Sequence, residues 1–530
     1  MDNASHPFGS AAFCNPEEVA AAGMFKQRPH SLLIGFLGRW PLWYSGMGGL
    51  LLVAGARGGK LKDVLAYNIC SGIHAPSMLI LDMKGELAAI SRDLTPDRKF
   101  AIYWNPARLH GIRGNRINPV DYLKIDSPTL VSDTKVFCEN MIPPSGSAQS
   151  AFFEGRAREF LEAIVLTLVR LKGVLMLPDL YHALNLIPGG GDTWQDFAFE
   201  MAESGVPLSA RIEEEINESR DDSTGGFHGI LGELFKAFAC LSDPVLLESV
   251  SPPYDFSMAQ LCERGQAYQF YAMPPAEFIS AWGPVIKAFF VAGMIYKSRA
   301  PEAPRQTWVL DECAQLGAFP LAVKLFTYGA GIGIRPWAVF QSLKQMKALG
   351  PDAEDIITSS AALQSYFAVR DLNTAETLSR MLGIQTLEYR DTRREAEARL
   401  ARQKALQALM NGADPFEAGL ELAHHSHAAT LPAKRGLPLR SPDQLLNMAP
   451  DKQIVFADGL AHPIEADRRA YFEQRFMAGR YHPNPYHPPQ NRVRVKTAWG
   501  HRWRRVIVEP VPRRFAHYPQ YADGTWSRIG

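Results

Sequence analysis

A glycine-rich turn followed by a lysine is the first pattern in the chain that could do chemistry. Residues 50–65 read LLLVAGARGGKLKDVL, which is an apolar run, a turn and the start of a helical pattern. In such a setting the backbone N–H groups of the turn surround a polyphosphate, and the lysine reaches its terminal oxygens. The positions that would line the phosphates are Gly55, Ala56, Arg57, Gly58, Gly59, Lys60 and Leu61.

This turn departs from the full phosphate-loop pattern G-x-x-x-x-G-K-[ST] at both ends. Gly59 and Lys60 match the pattern, but Ala54 stands at the first glycine and Leu61 at the hydroxyl position. Leu61 has no oxygen with which to ligate magnesium. Taken alone, the stretch is explained equally well as a glycine-rich turn between a strand and a helix.

Two further polar patterns follow apolar runs later in the chain. In WVLDECAQLG, residues 308–317, Asp311 and Glu312 end a strand-like run. Phosphoryl hydrolysis needs one carboxylate to hold the hydrated metal and a second to orient the attacking water, although such a pair also occurs as a helix N-cap. In WAVFQSLKQM, residues 337–346, Gln341 ends the next strand. A glutamine there can contact the γ-phosphate and report its loss; the alternative is a helix-capping or surface residue.

These side chains must be positioned by a sheet, and the apolar runs predict one. Short apolar runs bounded by turn residues are typical of parallel strands buried on both faces. We expect such strands at 50–54, 78–82, 100–104, 268–272, 307–310, 336–340, 365–369 and 454–457. Residues 31–54 are apolar enough to suggest a membrane helix, but Arg39, Pro41 and the glycine run favour two short strands joined by turns.

Between residues 128 and 250 the strand patterns nearly vanish, and over 151–171 apolar residues recur at helical spacing. This predicts an α/β fold with an all-helical insertion. We divide the chain into an N-terminal segment 1–30, a first part of a nucleotide-binding domain 31–127, an all-α domain 128–250, a second part 251–486 and a tail 487–530. The second part contains an Ala-rich charged helix at 393–410, which is typical of a solvated face.

The tail is rich in proline at its start, and we expect it from residue 483 onward to be poorly packed. It is also basic, with tryptophans between its arginines. Arginine neutralises phosphate and aromatic rings stack on bases, so the composition suits single-stranded DNA; an acidic partner or an anionic lipid suits it as well. The candidates for DNA contact are Arg492, Arg494, Arg502, Arg504 and Arg505.

The composition excludes several classes of protein. Six cysteines without a CxxC pair argue against a zinc site and a disulfide framework, and they fit a reducing cytoplasm. The net charge is +1, so any contact with nucleic acid must come from local patches. The N-terminus has no basic segment followed by an apolar core, and we therefore expect no signal peptide.

Several blocks, in order, resemble the TraG/VirD-type coupling ATPases of conjugative and type IV secretion systems. Besides the glycine-rich turn, they are LILDMKGELAAIS (79–91), INPVDYL (117–123), LDECAQLG (310–317), GAGIGIRPWAVFQSLKQMKALG (329–350), VRDLNTAETLSRMLG (369–383) and LRSPDQLLNMAPDKQIVFADGLAHPIEADRRAYF (439–472). The resemblance covers residues 36–486. It implies a RecA-like P-loop NTPase domain with an inserted all-α domain, assembled as a homo-hexamer through which DNA passes.

The resemblance also implies a site for ATP and Mg²⁺ between neighbouring subunits. In that site Lys60 binds the phosphates, Asp311 holds magnesium through water, Glu312 orients the attacking water and Gln341 senses the γ-phosphate. Asp82 and Glu86 shape the same site. A positive group from the adjacent subunit completes such sites, and the candidates are Arg335 and Arg370.

Our leading hypothesis from the sequence is an ATP-driven motor that recruits relaxase-bound single-stranded DNA, or protein substrates, and passes them to a secretion channel. Its partners would be these substrates, the channel ATPases and the inner-membrane subunits. Family members mostly begin with transmembrane helices, which this sequence lacks. We therefore expect a peripheral position at the cytoplasmic face of the inner membrane, held by a separate anchor protein. Two alternatives stay open: a non-hydrolysing docking platform with a decayed nucleotide site, which Leu61 supports, and an FtsK-type DNA translocase.

Overall fold

The computed structural model describes residues 6–70, 74, 76–92, 99–145, 148–219, 225–389, 392–411, 414, 416, 420, 423, 433–487, 489–517, 521 and 524–530. They divide into two compact units. The large unit consists of Pro16–Ala368, Pro450–Gly459 and Glu465–Gly530, and the small unit of Met1–Asn15, Val369–Ala449 and Leu460–Ile464.

The strands are β1 Leu32–Leu37, β2 Trp40–Tyr44, β3 Gly49–Ala54, β4 Ser77–Leu81, β5 Lys99–Trp104, β6 Ala267–Ala272, β7 Gln306–Asp311, β8 Ile334–Phe340, β9 Ala361–Phe367, β10 Ile384–Tyr389, β11 Ala433–Pro438, β12 Lys452–Ala457, β13 Ile464–Asp467, β14 Arg492–Thr497, β15 Gly500–Pro510 and β16 Thr525–Ile529. The helices are α1 Pro16–Ala21, α2 Ala66–Ile69, α3 Glu86–Ser91, α4 Leu130–Met141, α5 Ala148–Lys172, α6 Leu177–Gly189, α7 Gly191–Glu203, α8 Pro207–Ser219, α9 Gly226–Phe238, α10 Pro244–Ser249, α11 Gly283–Arg299, α12 Pro320–Ile332, α13 Ala353–Ser360, α14 Leu372–Leu382, α15 Thr392–Met410 and α16 Pro442–Leu446.

A single large sheet organises the large unit. Within the described residues its strand order is β2-β1-β13-β12-β9-β3-β8-β7-β4-β6-β5. The strands from β9 to β5 run parallel, whereas β12 pairs antiparallel with β9 and β1 pairs antiparallel with both β2 and β13. All eight predicted strands are present, and the pair expected between residue 31 and the glycine-rich turn is the β1–β2 hairpin.

The middle strands are apolar because helices and loops cover both faces of the sheet. Every residue of β3 and of β8 is buried. A fully buried leucine or valine side chain contributes about 1.5–3 kcal/mol, so the β3 sequence GLLLVA anchors the turn that follows it. This explains why the strand pattern is a continuous apolar run rather than an alternation.

Helices α4 to α10 replace strands between β5 and β6, as the sequence predicts. The long helix α5 packs against α4, α6, α8 and α9. Every residue of α5 from 163 to 169 is buried, because these neighbours surround this part of the helix. The architecture is therefore an α/β sheet with helices inserted between two of its strands.

The tail beyond residue 483 contains regular strands, although among its described residues from 489 onward only Val493 is buried, so the expectation of loose packing is not contradicted. Strands β14, β15 and β16 form an antiparallel sheet. The sequence RVRVKT of β14 alternates basic and apolar residues, a period-2 strand pattern in which arginine takes the polar positions. The prolines at 483, 485 and 489 all precede β14, so they leave its hydrogen-bonded ladder intact.

The small unit contains helix α15, which confirms the charged helix predicted at 393–410. Its strands β10 and β11 pair antiparallel from Ile384 opposite Pro438 to Tyr389 opposite Ala433. Helix α14 packs against α16 in the same unit. None of the helices in the described part of the chain has the length and apolar composition required to cross a membrane.

Candidate active site

The polar residues predicted to form a site lie at one edge of the large sheet, because the strands that precede them are parallel and adjacent in the sheet. Strands β3, β8, β7 and β4 are consecutive in the sheet. Lys60 lies in the turn after β3, Gln341 directly follows β8, Asp311 ends β7, and Asp82 directly follows β4. Since the carboxyl ends of parallel strands share one edge, residues separated by up to 281 positions in sequence become close neighbours.

The glycine-rich turn is shaped by its own backbone. The Gly58 N–H donates to the Gly55 carbonyl at 2.9 Å. Arg57 and Gly59 have positive φ angles of 59° and 93°. A Cβ atom on Gly59 would lie 2.4 Å from Asp63 Oδ2, so only glycine fits this position. A turn of π-helix, Leu61–Leu65, follows Lys60, and such turns are frequent at functional sites.

The Lys60 ammonium group contacts both predicted carboxylates. Lys60 Nζ donates to Glu312 Oε1 at 2.6 Å and lies 3.1 Å from Asp311 Oδ1. Burial acts to lower the pKa of Lys60, but Asp311 and Glu312 raise it above its usual value. Burial acts to raise the pKa of Glu312, yet Lys60 holds that pKa below its usual value. Lys60 and Glu312 are therefore both charged at neutral pH.

Glu312 is held in an unusual backbone conformation. Its φ angle of 52° places it in the left-handed region, which costs a non-glycine residue on the order of 1 kcal/mol. Gln341 Nε2 donates to Glu312 Oε1 at 3.1 Å, and Gln315 Nε2 donates to Glu312 Oε2 at 2.8 Å. The amides of Gln341 and Gln315 and the ammonium group of Lys60 thus fix the Glu312 carboxylate, and the left-handed backbone sets its direction.

Asp311 offers the oxygen that best fits a metal. Its Oδ1 is buried and lies 3.1 Å from Lys60 Nζ, an ion-pair contact that leaves this oxygen with further acceptor capacity. Burial raises the pKa of Asp311 in spite of Lys60. A buried carboxylate oxygen with spare acceptor capacity is a ligand that Mg²⁺ accepts, directly or through water. Among the described residues no cluster of three His, Cys, Asp or Glu forms a metal cage.

Asp82 and Glu86 lie beside these groups with structural partners of their own. Asp82 accepts hydrogen bonds from the backbone N–H groups of Glu86 and Ala88, at 3.0 and 2.8 Å, and so caps helix α3. Burial raises the pKa of Asp82 to about 7. Glu86 accepts a hydrogen bond from the Asn484 amide. The structure brings both acids to the same sheet edge as Asp311, while their roles toward a nucleotide stay predictions.

The prediction that Arg335 serves a neighbouring subunit does not fit the structure. Arg335 lies in β8 and is 1% exposed. Its guanidinium group donates to the carbonyls of Gly46 and His30 at 2.8 Å, and to Thr307 Oγ1. A side chain committed in this way cannot extend to another chain. Arg370 is exposed and lies in the small unit, so it remains a candidate.

The tail arginines are presented by a sheet rather than by a loose segment. In the ladder Arg492 pairs with Arg505, and Arg494 pairs with Trp503, so these four side chains share one face. Arg502 and Arg504 lie on the opposite face and are exposed. The basic character of the tail therefore occurs on both faces of this sheet.

Sequence reasoning missed Arg468 and Asp63, which form a buried ion pair against the glycine-rich turn. Arg468 Nη1 lies 2.8 Å from Asp63 Oδ2, and it also donates to the Gly58 carbonyl at 2.6 Å. The two residues are 405 positions apart. No local pattern marks either of them, because the contact depends on β13 joining the sheet.

Comparison with known proteins agrees with this architecture. The family model described as type IV secretory system conjugative DNA transfer matches residues 6–409. A conjugal transfer protein TraG of Escherichia coli is 23% identical over 418 residues, which cover 72% of this chain and 64% of the relative. A conjugal transfer protein TraG of Agrobacterium fabrum is 26% identical over 218 residues, covering 41% of this chain and 29% of the relative. The chain thus spans less than two thirds of the length of these relatives.

Solved structures show the same fold. The bacterial conjugative coupling protein TrwBdeltaN70 has a TM-score of 0.59 at 15% identity, covering 87% of this chain and 95% of that one. The plasmid coupling protein TrwB in complex with a non-hydrolysable ATP analogue has a TM-score of 0.60 at 16% identity, covering 87% and 96%. The fold is a RecA-like P-loop NTPase domain with an inserted all-α domain. With a family model that matches about three quarters of its length, the chain belongs to the type IV secretory system conjugative DNA transfer family.

Proposed function

We propose that this protein is an ATP-driven coupling protein that brings DNA or protein substrates to a conjugative secretion channel. The observation that carries the proposal is the contact of Lys60 with both Asp311 and Glu312 at the carboxyl edge of a RecA-like sheet. A lysine after a glycine-rich turn, opposite two acids that follow a neighbouring strand, is the arrangement required for hydrolysis of a nucleoside triphosphate.

The residues divide the work by their chemistry. Lys60 and the N–H groups of residues 55–61 would bind the phosphates. Bound Mg²⁺ would neutralise charge on the phosphate oxygens, and Asp311 would hold it. Glu312, fixed by two glutamine amides, would orient the attacking water, and Gln341 would sense the γ-phosphate. Solved structures of the related TrwB include a complex with ADP and Mg²⁺, which supports the same ligands here.

Turnover of ATP by the Glu312→Gln variant tests this assignment. We expect nucleotide binding to persist and the hydrolysis rate to fall at least 100-fold, because the amide cannot act as a base. Glu302→Gln provides the control, since Glu302 is exposed and pairs only with Arg264 among the described residues. Undiminished hydrolysis by the Glu312→Gln protein would contradict the assignment.

A non-hydrolysing docking platform is the second candidate, and Leu61 favours it. Position 61 offers no hydroxyl to magnesium at the start of the π-helical turn. Calorimetry with ATP and Mg²⁺ distinguishes the two functions. A platform shows no binding, or binding without phosphate release, whereas a motor shows both. An FtsK-type translocase would also hydrolyse ATP. It would differ from a coupling protein because it acts without a relaxase or a secretion channel.

The sheet β14–β16 is our proposed contact for single-stranded DNA. Trp503 is 44% exposed, with Arg494 opposite it and Arg505 two positions along on the same face. Stacking on tryptophan and pairing with phosphate are the two contacts that sequence-independent binding uses. In anisotropy titrations with a labelled oligonucleotide, Trp503→Ala with Arg505→Gln should weaken binding about 10-fold and reduce the salt dependence. Arg264→Gln is a control for losing one exposed arginine, and equal affinity of the double variant and the wild type would refute the contact.

Assembly and location complete the proposal. We propose a homo-hexamer in which Arg370 completes the nucleotide site of a neighbouring subunit, and which is held at the inner membrane by an anchor protein and the channel subunits. Arg370→Ala should lower turnover without weakening nucleotide binding, because a charge supplied in trans acts on the transition state. Mixing Arg370→Ala with Glu312→Gln subunits should restore part of the activity. No rescue in any mixture would exclude Arg370.

A further inference from the structure

Arg468 makes an unusually complete set of contacts for a residue outside the catalytic group. It directly follows β13, and its side chain is 2% exposed. Nη1 donates to Gly58 O at 2.6 Å and to Asp63 Oδ2 at 2.8 Å, and Nε donates to Lys452 O at 3.1 Å. Nη2 donates to Pro450 O. The guanidinium group also stacks on the Phe367 ring, 4.0 Å from its centre.

These contacts hold both ends of the segment that carries Lys60. Gly58 precedes Lys60 by two positions, and Asp63 follows it by three. One guanidinium nitrogen bridges them, so the segment cannot widen or close without breaking a charged hydrogen bond inside the protein. Asp63 N–H also donates to Gly59 O at 2.8 Å, which ties Asp63 through the backbone to the residue next to Gly58.

The contact with Gly58 fixes the direction of a donor on the opposite side. The peptide unit is planar and trans, so the N–H of Gly59 points away from the carbonyl oxygen of Gly58. Arg468 draws that oxygen toward β13, and the Gly59 N–H is thereby turned to the other side of the turn. Backbone N–H groups of this turn are the ones that a polyphosphate requires.

The ion pair between Arg468 and Asp63 is buried, and it differs in this respect from a surface salt bridge. Removing a guanidinium group and a carboxylate from water is costly, and such pairs persist where further hydrogen bonds satisfy them. Arg468 has four hydrogen-bonding partners, as the planar fork of arginine permits and a lysine ammonium group does not in the same geometry. Two of the four, the carbonyls of Pro450 and Lys452, belong to the segment that leads into β12.

We propose that Arg468 is a positioning residue that clamps the phosphate-binding turn, holding residues 58–63 ready for a nucleotide and joining them to the segment 450–468. Part of this inference rests on the proposed function, namely that the turn binds a nucleotide. The clamp itself is a property of the nucleotide-free protein. Arg468 touches the turn and not the reacting atoms, so its effect is on binding rather than on the chemical step.

The test uses the full chain with Arg468→Met, Arg468→Lys and the control Arg335→Met. Arg335 is equally buried, donates to two carbonyls and a hydroxyl, and makes no contact with the turn. It therefore reports the cost of losing a buried arginine as such. Two quantities are measured: hydrogen exchange of the amides of residues 55–65 without nucleotide, and the affinity for a fluorescent ADP analogue with Mg²⁺.

Arg468→Met should speed exchange in residues 55–65 at least 10-fold and weaken the ADP analogue at least 10-fold. Arg335→Met should change neither at a temperature where both variants are folded by circular dichroism. Arg468→Lys keeps the charge but not all four contacts, and it should lie between the wild type and Arg468→Met. If Arg468→Met does not fold, Arg468→Lys alone decides. Faster exchange than in the wild type then supports the clamp, and equal or slower exchange overturns it.

Unchanged exchange in residues 55–65, or an equal increase in Arg335→Met, would overturn the proposal. Faster exchange with unaltered affinity would also overturn it, because the turn would then need no clamp to bind. If the wild type binds no nucleotide at all, the proposed function fails instead. The exchange measurement still decides whether Arg468 holds the turn, so the two failures are distinguishable.

Discussion

Removing the Lys60 ammonium group should destabilise the nucleotide-free protein in a way that depends on pH. In Lys60→Met, two adjacent carboxylates lose the cation that lies 3.1 Å from Asp311 and 2.6 Å from Glu312. A unit charge pair at this separation is worth about 5–6 kcal/mol at an effective dielectric constant of 20. Breaking a fully buried pair costs about 3–5 kcal/mol. The two acids are 17% and 15% exposed, so we discount this to a net loss of about 2–3 kcal/mol at pH 7.5.

The pH dependence follows from the sign of the pKa shift. Lys60 holds the pKa of Glu312 below its usual value, so the pair stabilises the wild type above the unfolded pKa and loses this effect in acid. Without Lys60 both acids gain protons more readily. The defect of Lys60→Met should therefore be largest between pH 7 and 8 and should shrink as the pH falls below 4.5.

Thermal unfolding monitored by scanning fluorimetry measures this effect. A loss of about 2–3 kcal/mol corresponds to roughly 2–3 °C for a unit of about 430 residues. Lys62→Met is the matched control, because Lys62 is 53% exposed and makes a weaker contact, 3.8 Å from Asp63 Oδ1. It should shift the midpoint by less than about 1 °C. Repeating Lys60→Met in an Asp311→Asn, Glu312→Gln background should at least halve the loss. An equal loss in both backgrounds would refute the reasoning.

Three further predictions concern single sites. Leu61→Thr should tighten Mg²⁺ binding to the nucleotide complex about 10-fold in calorimetry, since it supplies the missing oxygen ligand; an unchanged affinity would mean that the π-helical turn points this position elsewhere. Gly59→Ala should abolish nucleotide binding, because its Cβ would lie 2.4 Å from Asp63 Oδ2, whereas Gly23→Ala, with a φ of 72° and nothing within 4 Å, should bind normally. Burial lowers the pKa of Lys99 to about 7, so the unfolded chain holds more protons between pH 7 and 10 and the Lys99 contribution to stability should rise with pH across that window; Lys99→Met should reduce the rise in melting curves between pH 7 and 9.5, leaving the part that Lys287 contributes in the same direction, and an identical rise in both proteins would contradict the shift.

The candidate site could be predicted from the sequence because each of its polar residues ends a buried strand or follows one within a few positions. Lys60, Asp311 and Gln341 are marked by the apolar runs before them, and parallel strands bring their carboxyl ends to one edge. What the sequence does not contain is the order of the strands. The placement of β8 between β3 and β7, which sets Gln341 against Glu312, is visible only in the structure.

Arg468 was missed and Arg335 was misjudged for the same physical reason. Both arginines have partners that lie far away in the sequence. Arg468 finds Asp63 across 405 positions, and a single sequence carries no sign of such a pair. Arg335 was expected to be available to a neighbouring subunit because arginine is mostly exposed in proteins. Instead it is buried, and two carbonyl oxygens and one hydroxyl oxygen accept its hydrogen bonds. The tail is a different case, because the alternation of basic and apolar residues in β14 is a local strand pattern that we overlooked beside the prolines before it.

The sheet order has a consequence for synthesis of the protein. Strand β1 pairs with β13, and about 430 residues separate them in the chain. At about 5–20 residues per second, a ribosome adds that length in on the order of 20–90 seconds. Throughout this delay the edge of the β1–β2 hairpin lacks its neighbour, and exposed strand edges recruit other chains. Nascent copies of this protein should therefore depend on chaperones until the last strands emerge, and truncation before residue 464 should yield aggregates rather than a smaller folded domain.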